Sequence, residues 1–365
     1  MALEKPEKKL LRPVLIASHR TVGEYATVLE RLLVGFADES IPSILVCPPA
    51  CDVDAIVSGA AQVVRYPAID LPLTEPLNIR MLVESLEKFE PTLLHCLCET
   101  RASVTRQLAR RFDLPYILAI NSLQKGWRRV SISSRRCARI ITPAATIAAN
   151  VAKIYPNFAD RIEQVNIGAY VAEACGCFCQ AARLPILAVA HPTDNADDFE
   201  NLFAAVRHLI LERYEFMMVV VGGGRQDAQV RKLLAALDLL KTVTIVPRMR
   251  PWRSVLAAGD IFILPQPGFA FNPLLLEAMS IGAAVAACKG GVDDLIIDNE
   301  TAVLFDPDDE LSIMHVLQRL LDRRELARKI ARAAQNHLRE NHSVSKMISA
   351  TLEAYRRAES WIDDR

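Results

Sequence analysis

The chain has 365 residues, and its 43 basic and 43 acidic side chains give a formal net charge of zero. That balance sets up no basic field to draw nucleic acid and no acidic tail to repel it, and the length is enough for two domains with a core each. Hydrophobic residues make up 51%, yet no apolar run reaches the roughly 18 residues of a membrane-spanning helix.

The first residues, Met1-Ala-Leu-Glu-Lys-Pro-Glu-Lys-Lys, lack the apolar core of a secretory signal, so a cytoplasmic protein is expected. The pattern of short apolar runs then predicts strands over 14–18, 43–47, 62–66, 92–98, 116–121 and 139–143, with a short last one over 162–167. Helical patterns over 23–36, 77–89, 103–112 and 144–154 lie between most of them. Short β-rich apolar runs alternating with amphipathic helices mark parallel α/β sheets. Cys47 and Cys96 fall in or beside such runs, as Cys288 does later, and are expected as buried free thiols. His95 lies at one strand end and Asn121 at another. A histidine in an apolar strand is most simply a hydrogen-bonded core group. Lys125-Gly-Trp127-Arg128-Arg129, with Arg135 and Arg136 beyond, is the clearest basic cluster with an aromatic.

Residues 172–183, small and cysteine-rich, break the rhythm and are expected as an interdomain linker. Cys175, Cys177 and Cys179 alternate without the pairing of a zinc site and have no second cluster, so no metal is expected. The rhythm restarts with strands over 186–190, 216–221, 243–246, 261–264, 284–287 and 302–305, and helices over 198–213, 226–237, 272–281 and 311–321. Helices over 325–341 and 346–362 close the chain with no further strand. The predicted domains are 1–175 and 176–345, with a final helix over 346–365 packing on the first.

Three turns of the second half follow strands. Gly222-Gly223-Gly224-Arg225 lets backbone approach a phosphate or base closely, although a glycine turn alone is a weak signal. Gly290-Gly291 is of the same kind. The stretch Phe269-Ala-Phe-Asn272-Pro273-Leu274-Leu275-Leu-Glu277 opens a helix with Asn272 as N-cap and Pro273 at its first position. Such a start aims backbone donors and the positive end of the dipole at an anion. The Leu274 and Leu275 N–H groups are expected to stay free as first-turn donors. Glu277 sits just over one turn in.

The segment from Phe269 through Leu-Glu277-Ala-Met to Gly282 resembles the Glu-Pro-Phe-Gly … Leu-Glu-Ala-Met … Gly signature of family 4 retaining glycosyltransferases (glycosyl transferases group 1), and Met217-Met-Val-Val-Val-Gly222-Gly-Gly-Arg225 looks like that family's strand and Gly-rich turn. Gly282-Ala-Ala-Val-Ala-Ala-Cys-Lys-Gly290-Gly291-Val292 and Asp298-Asn-Glu-Thr-Ala-Val-Leu-Phe-Asp-Pro307 are similar to further stretches of that family. The resemblance implies the GT-B fold, two Rossmann-like domains with parallel sheets and a C-terminal helix that crosses back to the first. It implies a hexosyltransferase-like enzyme moving sugar from a nucleotide-sugar donor to an acceptor, with retention and without a metal, in polysaccharide or glycolipid synthesis. The donor would lie against Gly222, Gly223, Gly224, Arg225, Asn272, Leu274, Leu275, Gly290 and Gly291, with Glu277 on the ribose. His95, Asn121 and residues 18–23 would face the acceptor. Lys125, Trp127, Arg128 and Arg129 would meet the inner face of a membrane.

The chain also departs from the family pattern. Phe269 stands where the first motif glutamate belongs, and Asn121 where a histidine does. His191 falls at the family's phosphate-binding arginine, and the acidic pair Asp197-Asp198 falls near its lysine. Both aspartates are expected to cap the next helix. These departures favour an alternative, a catalytically silent GT-B protein kept as a binding or partner subunit. A GT-B sugar-nucleotide epimerase would account for the fold but not for the Leu-Glu-Ala-Met segment.

Overall fold

Each half of the chain builds one parallel sheet. In a computed structural model, residues 10–363 are described except 58, 70, 72–73, 126–129, 181, 247–255 and 293. Trp127, Arg128 and Arg129 of the basic cluster therefore lie outside the described residues, whereas Lys125 is exposed.

The first unit comprises the chain up to residue 168 and again from 344 onward. Its strands are β1 (Pro13–Ile16), β2 (Ile44–Cys47), β3 (Gln62–Arg65), β4 (Leu93–Cys96), β5 (Tyr116–Ala119), β6 (Cys137–Thr142) and β7 (Ile162–Gln164). They order as β3-β2-β1-β4-β5-β6-β7, every pair parallel. The strands β1, β2, β4 and β5 are buried along their whole length, as a parallel sheet covered on both faces requires. The connecting helices are α1 (His19–Glu24), α2 (Ala26–Asp38), α3 (Asp54–Val57), α4 (Glu75–Glu87), α5 (Ala102–Phe112) and α6 (Ala145–Ile154).

The single helix expected over 23–36 is thus two, broken at Tyr25 (φ −106°, ψ 24°). It also starts earlier, because Ser18 acts as N-cap, its Oγ accepting from the Thr21 N–H at 3.1 Å.

The second unit spans residues 169–343. Its strands β8 (Ile186–Ala190), β9 (Met217–Val221), β10 (Val243–Val246), β11 (Ile261–Leu264), β12 (Ala284–Cys288) and β13 (Val303–Phe305) order as β10-β9-β8-β11-β12-β13, again parallel throughout. The helices are α7 (Glu200–Leu211), α8 (Asp227–Ala236), α9 (Pro273–Ser280), α10 (Glu310–Asp322) and α11 (Arg324–Asn341).

The stretch expected as a linker belongs to this unit. The N–H groups of Ala172, Gly176 and Cys177 donate to the carbonyls of Ser280, Ile281 and Gly282 at 2.8, 3.1 and 2.9 Å. Cys177 and Phe178 are buried, and the Phe178 N–H donates to Asp260 Oδ1 at 2.7 Å. The first division accordingly falls at 168/169 rather than 175/176, and the second at 343/344 rather than 345/346.

The last helix, α12 (Val344–Asp363), completes the first unit. Tyr355 is fully buried and its Oη lies 2.7 Å from His95 Nδ1 in β4. Ile348 packs so closely on Gly35 of α2 that a Cβ there would come within 2.5 Å of its Cδ1. Among the described residues, no helix is long and apolar enough to cross a membrane.

Candidate functional site

Parallel strands put all their C-terminal ends on one edge of the sheet. In both units the strand order reverses beside the first strand, between β1 and β4 and between β8 and β11. Ligands of doubly wound sheets bind in the crevice outside the carboxyl ends at that reversal. In the second unit His191 directly follows β8 and Gly222–Arg225 follows β9; the loop to Asn272 follows β11, and Gly290-Gly291 follows β12. The fold therefore carries these predicted residues to one edge.

Their hydrogen bonds are another matter. His191 Nε2 lies 3.1 Å from Asp198 Oδ2, and its ring meets Phe199 edge-on at 5.6 Å. Asp198 Oδ1 accepts from Asn195 Nδ2 at 2.9 Å, and the Asp198 carbonyl accepts from Gln266 Nε2 at 3.3 Å. That last bond joins the β8 and β11 sides of the crevice. Asp197 and Asp198 do not cap α7, whose N-cap position, Phe199, makes no side-chain cap bond. This corrects the capping expectation: Asp198 turns instead to His191. An imidazole matched by a carboxylate is a poor substitute for an arginine on a diphosphate.

The glycine turn is held from within the chain. The Gly224 N–H donates to Thr193 Oγ1 at 2.7 Å, and that hydroxyl donates in turn to Asp227 Oδ1. The Gly223 and Arg225 N–H groups donate to Asp227 at 3.4 Å and Asp194 at 3.0 Å. A Cβ on Gly224 would lie 2.2 Å from the Thr193 carbonyl carbon, so this glycine serves the approach of residues 193–194. The Arg225 side chain is exposed, with its Nε 3.5 Å from Asp194. Thr193 and Asp227 were not singled out in the sequence, and the available signal was an acid opening the helix directly after the glycine turn.

At the start of α9, Asn272 Oδ1 accepts from the Leu274 N–H at 3.0 Å and from the Leu275 N–H at 3.2 Å. This corrects the expectation that both donors stay free. Pro273 has no N–H to offer, so an anion at this helix start must displace the Asn272 carboxamide. Glu277 is 1% exposed and Phe269 64% exposed. The motif carboxylate is thus buried, while the residue standing for the other glutamate is an exposed ring. Gly291 (φ +79°) lies where a Cβ would come within 2.4 Å of the Gly268 carbonyl oxygen, which accepts from the Val292 N–H at 2.7 Å. This glycine therefore brings the loop after β12 against the loop after β11.

The first unit holds the remaining predicted residues. His95 is 2% exposed, and burial pushes its pKa down to about 3, so its imidazole is neutral. Asn121 Nδ2 donates to the Leu97 carbonyl at 2.9 Å. Its N–H joins those of Ser122 N, Ser122 Oγ and Gln124 Nε2 on one oxygen, Oε1 of Glu99, at 3.0, 3.2, 3.1 and 3.2 Å. Glu99, just past β4, pins the loop after β5. It went unnoticed in the sequence, where only its place after a strand marked it. His95 and Asn121 both line a partly enclosed cavity of about 80 Å³ within this unit.

Residues 183–323 match the family model described as Glycosyl transferases group 1. A D-inositol 3-phosphate glycosyltransferase of Salinispora tropica is 26% identical over 243 residues, 60% of this chain and 50% of that relative. The chain thus spans about half the length of this curated relative. A glycosyltransferase structure from Rickettsia africae superposes with a TM-score of 0.78 at 15% identity, covering 96% of this chain and 99% of that one. The Anabaena protein HepE, solved with UDP and glucose, gives 0.79 at 13% identity over 95% and 99%. The fold is therefore that of the GT-B glycosyltransferases, and the match to glycosyl transferases group 1 lies in the second unit.

Proposed function

We propose that the chain is a glycosyltransferase whose second unit holds a nucleotide-sugar donor and transfers the sugar, with retention and without a metal, to an acceptor such as a growing polysaccharide or a glycolipid. One observation carries this reading. The family match over 183–323 falls on the stretch in which the ends of β8, β9, β11 and β12 gather His191, the Gly222–Arg225 turn and the α9 start with Glu277. The UDP and glucose in the Anabaena structure support a nucleotide-sugar donor.

Transfer of this kind rests on stabilising the departing diphosphate, and losing one preorganised donor costs about 10²–10³ in rate. Here His191 is matched by Asp198 and Arg225 by Asp194, and Phe269 replaces a carboxylate. Turnover is therefore slow by the standard of the family. The same mismatched cations and Phe269 favour a second reading, a catalytically silent binding or partner subunit that holds nucleotide without transferring sugar.

Calorimetry of the full chain with UDP, GDP, ADP and their sugars tests both. Glu277→Ala should weaken nucleoside diphosphate binding by about 1–3 kcal/mol, the effect of leaving polar partners unmatched. Equal affinity of wild type and variant would remove the ribose role. The absence of binding to every nucleotide would overturn both readings. Binding with no sugar released from any donor would leave the second one standing.

A further inference from the structure

The cavity of the first unit lies beneath α12, between the sheet and α2. Leu29 and Leu32 of α2, Ile141 of β6 and Met347 of α12 are among the apolar side chains that line it. Its volume of about 80 Å³ is several times the roughly 10–15 Å³ that one water occupies on the same measure, enough for a chain of about five to eight heavy atoms.

Most of the polar groups on its wall are already engaged. Thr21 Oγ1 bonds Ser18 Oγ at 2.8 Å, Thr351 Oγ1 donates to the Met347 carbonyl at 2.8 Å, and Thr142 Oγ1 donates to the Ala144 carbonyl at 3.4 Å. Asn121 is held by Leu97 and Glu99. His95 differs. Its Nδ1 is taken by Tyr355 Oη at 2.7 Å, while its Nε2 is buried and meets no hydrogen-bond partner among the described residues. A polar atom left so in an apolar surround is costly.

The chemistry of that nitrogen selects the ligand. If Tyr355 donates to Nδ1, Nε2 carries the proton and needs an acceptor; if Nδ1 donates to Tyr355, Nε2 needs a donor. A hydroxyl satisfies either tautomer. A carboxylate or an ammonium would enter an apolar cavity as an unmatched charge, at a large desolvation penalty.

From this geometry we infer that the cavity is a binding site for a neutral aliphatic alcohol, or for the hydroxyl-bearing end of a larger apolar chain, with the ligand hydroxyl on His95 Nε2. The site lies wholly within the first unit and does not depend on whether the second unit transfers sugar.

The test is calorimetric titration of the full chain with 1-hexanol and with 1-chlorohexane, which matches it in size but has no hydroxyl. The wild type should bind 1-hexanol saturably and prefer it about three- to tenfold, the measure of one hydrogen bond. His95→Phe should bring the two affinities together. Val28→Trp, which adds bulk to the cavity wall from α2 and keeps the histidine, should abolish both. Histidine ring NMR of the wild type supplies a readout that needs no variant: one imidazole signal should shift further at saturation with 1-hexanol, which bonds the ring nitrogen, than at saturation with 1-chlorohexane. Equal affinity for the two probes in the wild type would overturn the inference. So would the absence of saturable binding with no ring shift, which would mean a cavity that holds water only.

Discussion

Lowering the pH from 7 to 5 should destabilise the first unit by about 2 kcal/mol through His95 alone. Burial on β4 against Tyr355 of α12 holds its pKa at about 3, against an ordinary value of roughly 6.5. Above that ordinary value the imidazole is neutral in both folded and unfolded chains, and its contribution to stability is complete and flat. Between about 6.5 and 3 the unfolded chain takes up a proton that the folded chain refuses. Stability then falls by about 1.4 kcal/mol for each unit of pH, and below 3 the loss from this group is complete. At pH 5 the unfolded histidine lies about 1.5 units below its midpoint, which gives the 2 kcal/mol.

Urea unfolding at both pH values, on wild type and His95→Phe, isolates the effect. Fluorescence of Trp361 reports on this unit, because its ring lies 4.3 Å beneath the Arg161 guanidinium; Trp127 and Trp252 are replaced by Phe in both proteins. The loss between pH 7 and 5 should be about 2 kcal/mol greater in the wild type. The same pH dependence in both proteins, or a His95 ring titrating near pH 6.5 by NMR, would refute the reasoning.

Asp260→Ala should destabilise the second unit by about 3–5 kcal/mol in urea unfolding. Its carboxylate, 2% exposed, holds the Phe178 N–H, the Ile186 N–H at 2.9 Å and Arg183 Nη2 at 3.0 Å; a loss below 1 kcal/mol would show that the strap of residues 178–186 is held by other means. Gly224→Ala should cost about 1–3 kcal/mol by forcing a methyl onto the Thr193 backbone, and an unchanged melting transition would count against the close approach drawn above. Installing Phe269→Glu together with His191→Arg should raise sugar transfer or donor hydrolysis above the wild type, measured by nucleotide release. Robust wild-type turnover that survives His191→Ala and Arg225→Ala would mean that the diphosphate is held elsewhere.

The alternation of apolar runs and amphipathic helices was enough to read two parallel sheets, because burial on both faces imposes a pattern that local sequence must carry. It also brought His191, the glycine turn and Asn272 to strand ends, and Pro273 after Asn272 announced a capped helix. Ownership of the hydrogen bonds was not legible. The strap 172–183 looked like a linker because its composition is loose, yet its N–H groups meet carbonyls more than a hundred residues away. Asp198 looked like a cap and instead meets His191, seven positions back. Tyr355 reaches His95 across 260 positions, and Glu99 collects a loop from the neighbouring strand. Periodicity is a property of one element against its own surroundings, so the chain states it directly. Which donor meets which acceptor depends on how the crossovers bring strand ends together, and only the folded chain decides that.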